Sequence, residues 1–202
     1  MIQEGASVWA ESEKGNQRGI WSLETSLKRH RCDVSLAVAI DANYKPATAV
    51  DLGCGLGAYC KIFNACGWPY VIGYEGTPEV KALPSAYQKI LHIDLTDPMD
   101  PTQSSFEFVL CLEVGEHIPR KFEKIFLDNL SILCGEDLVI SWALPNQGGT
   151  DHVNKHEQAE VEGLLAERGL IVLKEMTDYL RSQCYFKYFQ KTVTAYRRER
   201  PR

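Results

Sequence analysis

The sequence has few of the features that mark membrane and secreted proteins. Its longest wholly apolar stretches, such as Leu36–Ile40, are far shorter than the roughly 18 residues needed to cross a bilayer. The chain begins Met-Ile-Gln-Glu-Gly, without the basic segment and apolar core of a secretory signal. We therefore expect a cytoplasmic protein with no membrane partner.

Basic residues are fewer than acidic ones. The chain has 22 basic and 27 acidic side chains, which give a formal net charge of -5. A protein that binds nucleic acid by neutralising phosphates has the opposite balance. The composition therefore disfavours nucleic acid as a partner.

Paired cysteine motifs are missing as well. The seven cysteines are scattered without any C-x-x-C pair, which is typical of buried thiols in a reducing compartment. We expect no disulfides and no cysteine zinc site. Asp151, His152 and His156 do not have the one-face spacing of metal ligands, so the sequence predicts no bound metal.

What remains is the composition of one globular domain. The 202 residues are 45% hydrophobic and 24% charged, and a chain of this length buries roughly 70% of its unfolded surface. Apolar residues recur at helical spacing from Ser22 until Asn43 and Pro46 end the run. We expect residues 1–45 to form an N-terminal arm and leading helix that cap a domain of residues 46–202.

Strands and helices alternate after residue 46, which favours an α/β fold with a parallel sheet covered on both faces. The predicted strands are 48–52, 70–74, 90–92, 106–112, 137–142, 171–174 and 190–196. The predicted helices are 58–66, a short one from Pro78 with Thr77 as N-cap, 119–130, and 155–168 with Asn154 as N-cap.

A glycine-rich loop follows the first predicted strand. Gly53, Gly55 and Ala58 satisfy the dinucleotide pattern G-x-G-x-x-G/A, and Glu75 comes 22 residues after Gly53, where a ribose-binding acid belongs. Asp51, two residues before the first glycine, would repel a pyrophosphate but attract an ammonium group. The loop therefore favours a cofactor that carries an amino acid over a nicotinamide dinucleotide.

The segment resembles the first motif of class I S-adenosylmethionine-dependent methyltransferases, D/E-x-G-x-G-x-G. Later landmarks follow in the same order: Glu75 after the second strand, Asp94-Leu95 after the third, and Cys111–His117 after the fourth. The resemblance covers residues 47–196 and implies a Rossmann-like seven-stranded sheet, mostly parallel, whose last strand is antiparallel, with helices on both faces.

The resemblance also implies site roles. Glu75 would bind the ribose hydroxyls, Asp94 the adenine amino group with Leu95 beside it, and the glycine loop the methionine portion. Glu113 would lie near the methyl group. The expected cofactor-binding residues are Trp21, Asp51, Gly53, Cys54, Gly55, Gly57, Glu75, Gly76, Asp94, Leu95 and Glu113.

The chain is similar, more narrowly, to a group of such proteins that carry three further segments. These are G-I-W-S-L-E at Gly19–Glu24, L-E-V-G-E-H-I-P at Leu112–Pro119, and S-W-A-x-P-x-Q-G-G-x-x-H-V-N at Ser141–Asn154. The second and third segments supply the expected catalytic residues His117, Glu116 and His152. His117 is the first candidate for the base, because imidazole titrates near neutral pH; its alternative role is to bond backbone at a helix start.

We therefore expect a methyltransferase that uses S-adenosylmethionine, releases S-adenosylhomocysteine, and methylates an oxygen or nitrogen of a small molecule. Two alternatives stay open: a non-catalytic cofactor-binding module or partner subunit, and a nicotinamide-dependent oxidoreductase. Protein side chains also remain possible acceptors. The sequence determines neither the acceptor nor the oligomeric state.

Overall fold

The computed structural model describes residues 18–82 and 89–199. Residues 1–17 of the expected N-terminal arm lie outside this range. The helices are α1 Leu23–Arg29, α2 Val34–Asn43, α3 Ala58–Ala65, α4 Arg120–Leu133, α5 Gln158–Ala166, α6 Lys174–Gln183 and α7 Phe189–Thr192. The strands are β1 Thr48–Leu52, β2 Tyr70–Glu75, β3 Ile90–His92, β4 Phe106–Leu112, β5 Cys134–Ser141, β6 Leu170–Val172 and β7 Thr194–Arg198.

The seven strands form one sheet in the order β3-β2-β1-β4-β5-β7-β6. Neighbouring strands from β3 to β5 are parallel, whereas β7 runs antiparallel to both β5 and β6. The expected sheet with an antiparallel last strand is therefore confirmed. The strand order reverses at β1, which lies between β2 and β4, and in such sheets ligands bind beyond the carboxyl ends of the strands at that point.

Side chains alternate between two hydrophobic cores, one on each face of the sheet. Ala49 packs with Leu36 of α2 and Phe63 of α3, while its neighbour Val50 packs with Phe126 of α4 and Leu165 of α5. This alternation follows from the two-residue period of a strand. It turns Asp51 toward the face covered by α2 and α3.

The expected single leading helix is two helices. α1 ends at His30, whose backbone is extended, and α2 begins after its N-cap Asp33. Asp33 is buried; its Oδ1 accepts from the Leu36 amide at 3.0 Å. Its Oδ2 accepts from the amides of Tyr185 and Phe186 at 2.8 and 2.9 Å. The spacing of the apolar residues did not reveal the break, because both helices contribute apolar residues at helical spacing.

One predicted helix start was wrong, whereas the predicted start at Pro78 is confirmed. The N-cap of α5 is Glu157, which forms a capping box with Glu160. Asn154 instead is fully buried and donates to Glu123 at 2.7 Å, so it braces a loop and caps nothing. Thr77 precedes a 3₁₀ turn, Pro78–Ala82, and its hydroxyl donates to the Trp21 carbonyl.

The closing part of the chain was also predicted incompletely. No helix was predicted at Lys174–Gln183, which forms α6. The last strand was predicted to begin at Gln190, which lies in α7. The apolar residues there, including Leu180 and Phe189, pack into the core on the α2 face. None of the helices within residues 18–82 and 89–199 combines the length and hydropathy of a bilayer-crossing segment.

Replacing Asp33 tests its role as the joint between α2 and the α6–α7 connection. Asp33→Ala removes a helix cap and leaves the partly buried amides of Tyr185 and Phe186 without this acceptor, so the free energy of unfolding should fall by about 2–4 kcal/mol. Urea denaturation measures this loss.

The control is Ser22→Ala at the exposed N-cap of α1, where the Ser22 hydroxyl accepts from the Thr25 amide at 3.2 Å. We expect this change to cost about 1 kcal/mol or less. Equal losses in the two variants would show that the long-range bonds of Asp33 contribute nothing.

Candidate active site

A cleft of about 270 Å³ lies beyond the carboxyl ends of β1, β2 and β4. Its wall includes residues of the glycine loop, of the segment around α1, and of the loops that follow β4 and β5. Among the expected site residues it contains Trp21, Asp51, Gly53, Cys54, Glu75, Glu113, His117 and His152. The cleft therefore brings together expected site residues from distant parts of the sequence, from Trp21 to His152.

The glycine loop has a backbone that only glycine adopts easily. Gly53, Gly55 and Gly57 have φ values of 66°, 53° and 72°, in the left-handed region. The amides of Gly53 and Cys54 donate to the Tyr74 carbonyl at 2.8 and 3.1 Å, which fixes the loop to β2. The loop thus turns sharply at the end of β1 and leaves its backbone close to the cleft.

Asp51 is a buried carboxyl on the cleft wall. The Cys60 thiol donates to its Oδ2, with Sγ 3.9 Å from that oxygen. Burial, together with the negative charge of Glu75, raises the pKa of Asp51 to about 8. A cationic group in the cleft would lower the pKa of Asp51 again, because it would favour the ionised carboxylate.

Glu75 fastens the glycine loop from the end of β2. Its Oε2 accepts from the Gly55 amide at 2.7 Å and its Oε1 accepts from the Thr77 amide at 3.0 Å. Each carboxylate oxygen can accept a further hydrogen bond. Glu75 is therefore positioned by backbone and still has capacity for ligand hydroxyls.

Trp21 forms part of the wall opposite the sheet. Its indole ring contacts His117 edge-on, with ring centroids 4.9 Å apart, and His30 at 6.0 Å. The indole N–H of Trp21 is buried and has no hydrogen-bond partner among residues 18–82 and 89–199. A buried donor without a partner on a cleft wall is a natural contact for a ligand acceptor.

Glu113 has the strained backbone conformation of the site. Its φ is 53°, unusual for a residue with a side chain, and it follows directly after β4. Ser141 and Gln147 donate to its two carboxylate oxygens at 2.9 and 2.6 Å. Burial raises the pKa of Glu113, although these two hydrogen bonds oppose the rise.

The expected catalytic residues lie together. One ligand-capable atom from each of Glu116, His117 and His152 lies within 4.8 Å of the others. Burial, and then the neighbouring His152, lower the pKa of His117 to about 4, so its imidazole is neutral near pH 7. Burial also lowers the pKa of His152. Burial, with Glu113 beside it, raises the pKa of Glu116.

Glycines make this convergence sterically possible. A Cβ at Gly149 would collide with the imidazole of His152, and one at Gly115 would collide with the indole of Trp142. Trp142 in turn donates from Nε1 to the Asn154 carbonyl at 2.6 Å. The loop after β5 is thereby packed against the turn that carries Glu116 and His117.

Several expected cofactor residues do not line the cleft. These are Gly55, Gly57, Gly76, Asp94 and Leu95. Gly76 lies under the Ile20 side chain, and Leu95 belongs to the core on the α4 face. Their roles stay predictions.

Asp94 is held by other side chains. Its Oδ2 is paired with the Arg18 guanidinium at 2.9 Å, and its Oδ1 accepts from the Thr96 amide and hydroxyl at 2.8 and 2.7 Å. The N-terminal segment thus covers the part of the sheet edge where the family resemblance puts the adenine. The expected contact of Asp94 with an adenine amino group stays a prediction. It requires that Arg18 moves away or shares the Asp94 carboxylate with the adenine.

Sequence reasoning missed several residues of the wall. Arg29, His30 and Arg31 come from the end of α1 and the connection after it, and Tyr59 and Tyr188 come from the helices beside the sheet. The break between α1 and α2 is what brings the basic segment to the cleft. The Asp33 cap was the one local signal that could have indicated that break.

The cleft suits S-adenosylmethionine in charge and in polar groups. That compound carries an ammonium, a sulfonium, two ribose hydroxyls and a base, and the wall offers Asp51, the open lone pairs of Glu75 and the unpartnered indole N–H of Trp21. The left-handed glycines let backbone approach such a ligand. The residues present therefore fit the cofactor.

Residues 26–140, more than half of the chain, match the family model of a methyltransferase domain. None of the curated proteins matches the chain. The match to a methyltransferase domain decides against the nicotinamide-dependent alternative for the glycine loop.

Three solved structures illustrate the fold likeness. Magnesium protoporphyrin IX methyltransferase from Synechocystis PCC 6803, with bound S-adenosylmethionine, is 15% identical with a TM-score of 0.57, over 98% of this chain and 87% of that one. The 1,6-didemethyltoxoflavin-N1-methyltransferase of Burkholderia thailandensis is 14% identical with a TM-score of 0.58, over 96% and 82%. A chain of the complex between the Haloferax volcanii Trm112 methyltransferase activator and a putative methyltransferase is 16% identical with a TM-score of 0.63, over 97% and 99%.

At these identities the solved structures show the fold, and the family match shows the membership. The chain belongs to the methyltransferase domain family, and it has the fold of the class I S-adenosylmethionine-dependent methyltransferases that its motifs resemble.

Proposed function

We propose that the chain transfers a methyl group from S-adenosylmethionine to an oxygen or nitrogen atom of a small-molecule acceptor. The observation that carries the proposal is one continuous cleft with two sets of functional groups. Asp51 and Glu75 lie on the wall near the glycine loop, and Glu113, His117 and His152 lie on the wall formed by the next two strand ends. A donor held by the first set has its reactive end directed to the second.

The first set would hold the cofactor. Asp51 would face its ammonium group, Glu75 would accept from its ribose hydroxyls, and the indole N–H of Trp21 would find an acceptor on it. Asp51 and the indole N–H of Trp21 are buried, and Glu75 can accept further hydrogen bonds. Each contact would therefore give one of these groups a partner. We further propose that, within the expected cap of residues 1–45, the described segment from residue 18 to the end of α1 covers the bound cofactor, since Trp21 and His30 already lie on the wall.

The second set would handle the acceptor. S-adenosylmethionine, when bound, supplies a methyl group on a positively charged sulfur atom. In-line displacement then requires that the attacking atom is aligned and that its proton is removed or its charge compensated. We assign that work to Glu116, His117 and His152, next to the strained Glu113.

The size of the cleft supports a small acceptor. It is closed on two sides by the segment around α1 and by the loop after β5. Two of the structural neighbours act, by their names, on magnesium protoporphyrin IX and on 1,6-didemethyltoxoflavin. Arg29 and Arg31, exposed on the same wall, suit an acceptor that carries an anionic group.

A second candidate is a methyltransferase or cofactor-binding subunit that works only with a partner protein. The observation in its favour is the likeness to a chain of the Haloferax volcanii Trm112 complex. Cofactor binding without methyl transfer by the isolated chain would favour this candidate.

The experiment that tests the proposal has two stages. Calorimetric titration with S-adenosylmethionine and S-adenosylhomocysteine comes first, and the absence of heat with either ligand would contradict the proposal. Incubation with a tritiated methyl donor and fractionated cell extract comes second. We expect label in the small-molecule fraction; label confined to protein or nucleic acid would overturn the choice of acceptor class.

Asp51→Asn separates cofactor binding from folding. The amide keeps the shape of the side chain but removes the charge that we expect to face the ammonium group, so binding of S-adenosylhomocysteine should weaken by about 1–3 kcal/mol. The free energy of unfolding at pH 7 should not fall, because the carboxyl of Asp51 is buried without a cationic partner in the free protein. Calorimetry and urea denaturation measure the two effects.

The control for this variant is Glu79→Gln, which removes a carboxylate exposed on the 3₁₀ turn beyond Glu75. It should leave both measurements unchanged. Equal affinity of Asp51→Asn and the natural protein for the ligand would remove Asp51 from the cofactor site.

Cofactor affinity should depend on pH through Asp51. Its pKa of about 8 means that it holds a proton at pH 6 to 7 in the free protein. A cationic ligand favours the carboxylate, so binding must release this proton. The affinity should therefore rise by up to about tenfold per pH unit from pH 6 toward pH 8 and level off above it.

Proton release is measured by calorimetry in buffers of different ionisation enthalpy. The groups near Asp51 include Glu75, Tyr59 and four thiols, Cys32, Cys54, Cys60 and Cys111. Burial raises the pKa of Tyr59 and of the Cys32 and Cys111 thiols, and the pKa of Cys54 is raised by its bond with Cys60 and by burial, so these four groups keep their protons across this range. Asp51→Asn should abolish the release, and an unchanged release in that variant would assign the proton to another group.

A further inference from the structure

Three side chains that bind metals in many proteins converge beside the acceptor end of the cleft, which His117 and His152 line while Glu116 is fully buried next to them. Glu116 and His117 lie in the 3₁₀ turn after β4, and His152 lies in the loop after β5. One ligand-capable atom of each lies within 4.8 Å of the others, and His152 Nε2 is 4.0 Å from Glu116 Oε1. The sequence predicted these three residues as candidate catalytic groups at the ends of two strands, but not as ligands of one metal ion.

The carboxyl group of Glu116 is fully buried, and no lysine or arginine pairs with it among the described residues. Neither of its oxygens has a well-formed hydrogen bond in that part of the chain, although the Ala143 backbone and the Glu113 carboxyl group lie beside it. An isolated buried carboxylate is costly unless a cation or hydrogen-bond donors compensate it. The carboxylate of Glu113 beside it adds negative charge to the same place.

The imidazole of His117 is oriented as in metal sites. Its Nδ1 lies 3.2 Å from the carbonyl of Asp151, so this nitrogen donates and Nε2 is left with the lone pair. Asp151 adopts a φ of 60°, a strained conformation that holds this carbonyl in place. Histidine ligands of metals usually donate their second ring N–H to a carboxylate or carbonyl in this way.

A structural Glu–His pair in the same protein looks different. His156 Nε2 lies 2.6 Å from Glu123 Oε2, and Asn154 donates to the same oxygen. His152 and Glu116, at 4.0 Å, are too far apart for a hydrogen bond, and His152 Nδ1 is buried without a partner. The spacing leaves room for an atom between the side chains.

We propose that Glu116, His117 and His152 bind one divalent first-row transition-metal ion. Two imidazoles and a carboxylate suit such ions, which hold ligand atoms at about 2.0–2.2 Å, so binding would draw the three side chains closer together by rotation. The ion balances the charge of the buried carboxylates. This departs from the expectation of no metal, which rested on Asp151, His152 and His156.

The role of the ion rests on the proposed function. It would hold an oxygen of the acceptor next to the methyl group and stabilise the negative charge left when the hydroxyl loses its proton to solvent. The oxygen then forms a bond to the methyl carbon, the carbon–sulfur bond breaks, and its electron pair stays on sulfur. The acceptor class is therefore a hydroxyl compound with an oxygen that can coordinate a metal.

Cobalt(II) is the probe that tests the site. The full chain is freed of metal with a chelator and titrated with Co²⁺ while its visible absorption is recorded. We expect saturation at one equivalent, with the ligand-field bands of nitrogen and oxygen ligands and without the intense near-ultraviolet band of thiolate ligands. Glu116→Gln and His152→Asn should each raise the dissociation constant at least about tenfold.

The matched controls are Glu123→Gln and His156→Asn, which change the other buried Glu–His pair and should keep the cobalt bands. Circular dichroism checks that every variant is folded, and His152→Asn, in a loop, serves if Glu116→Gln does not fold. Absence of bands from the natural chain, or equal affinity in the site variants, would overturn the inference. Titration of the metal-free chain with S-adenosylhomocysteine separates this failure from failure of the proposed function, since cofactor binding does not require the ion.

Discussion

Burial of negative charge at one end of the sheet is the constraint on which the site depends. Asp51, Glu75, Glu113 and Glu116 lie at or just beyond the carboxyl ends of β1, β2 and β4, buried or half-buried. Within residues 18–82 and 89–199 none of them pairs with a lysine or arginine. Backbone amides donate to Glu75, and Ser141 and Gln147 donate to Glu113, while burial raises the pKa values of Asp51, Glu113 and Glu116. Such a cleft is complementary to cations, and a sulfonium cofactor and a metal ion are both cations.

Three segments of the chain are interlocked around this charge. Gly19, with a φ of 77°, lets the N-terminal segment lie directly on the His117 carbonyl, and Gly149 makes room for the imidazole of His152. The amides of Val153 and Asn154 both donate to the Glu116 carbonyl, at 2.8 and 2.9 Å. The residue types in these segments are therefore explained by geometry: glycines provide space, and the neighbouring polar and aromatic residues fill it.

The fold and half of the site could be predicted from the sequence because their signals are local. Alternating strands and helices gave the sheet, and a left-handed glycine loop after Asp51 needs no partner from elsewhere to be recognised. The rest depends on contacts between distant residues. The role of Asn154 is set by Glu123 and Trp142, and the carboxylate of Asp94 is occupied by Arg18. The placement of Glu116, His117 and His152 after two strands predicted that they face the same crevice, but it did not give the distances that make them candidate ligands of one ion.

The expected role of His117 as a base and its proposed role as a metal ligand use the same atom. The Asp151 carbonyl fixes the proton on Nδ1, so Nε2 has the only lone pair, and one lone pair cannot bind an ion and take a proton at once. If the ion is present, a base is less necessary, because the charge on the acceptor oxygen is stabilised directly. The site then works by compensation of charge: Glu116 and Glu113 attract a cation, the cation attracts an oxygen anion, and the anion faces a methyl group on positively charged sulfur.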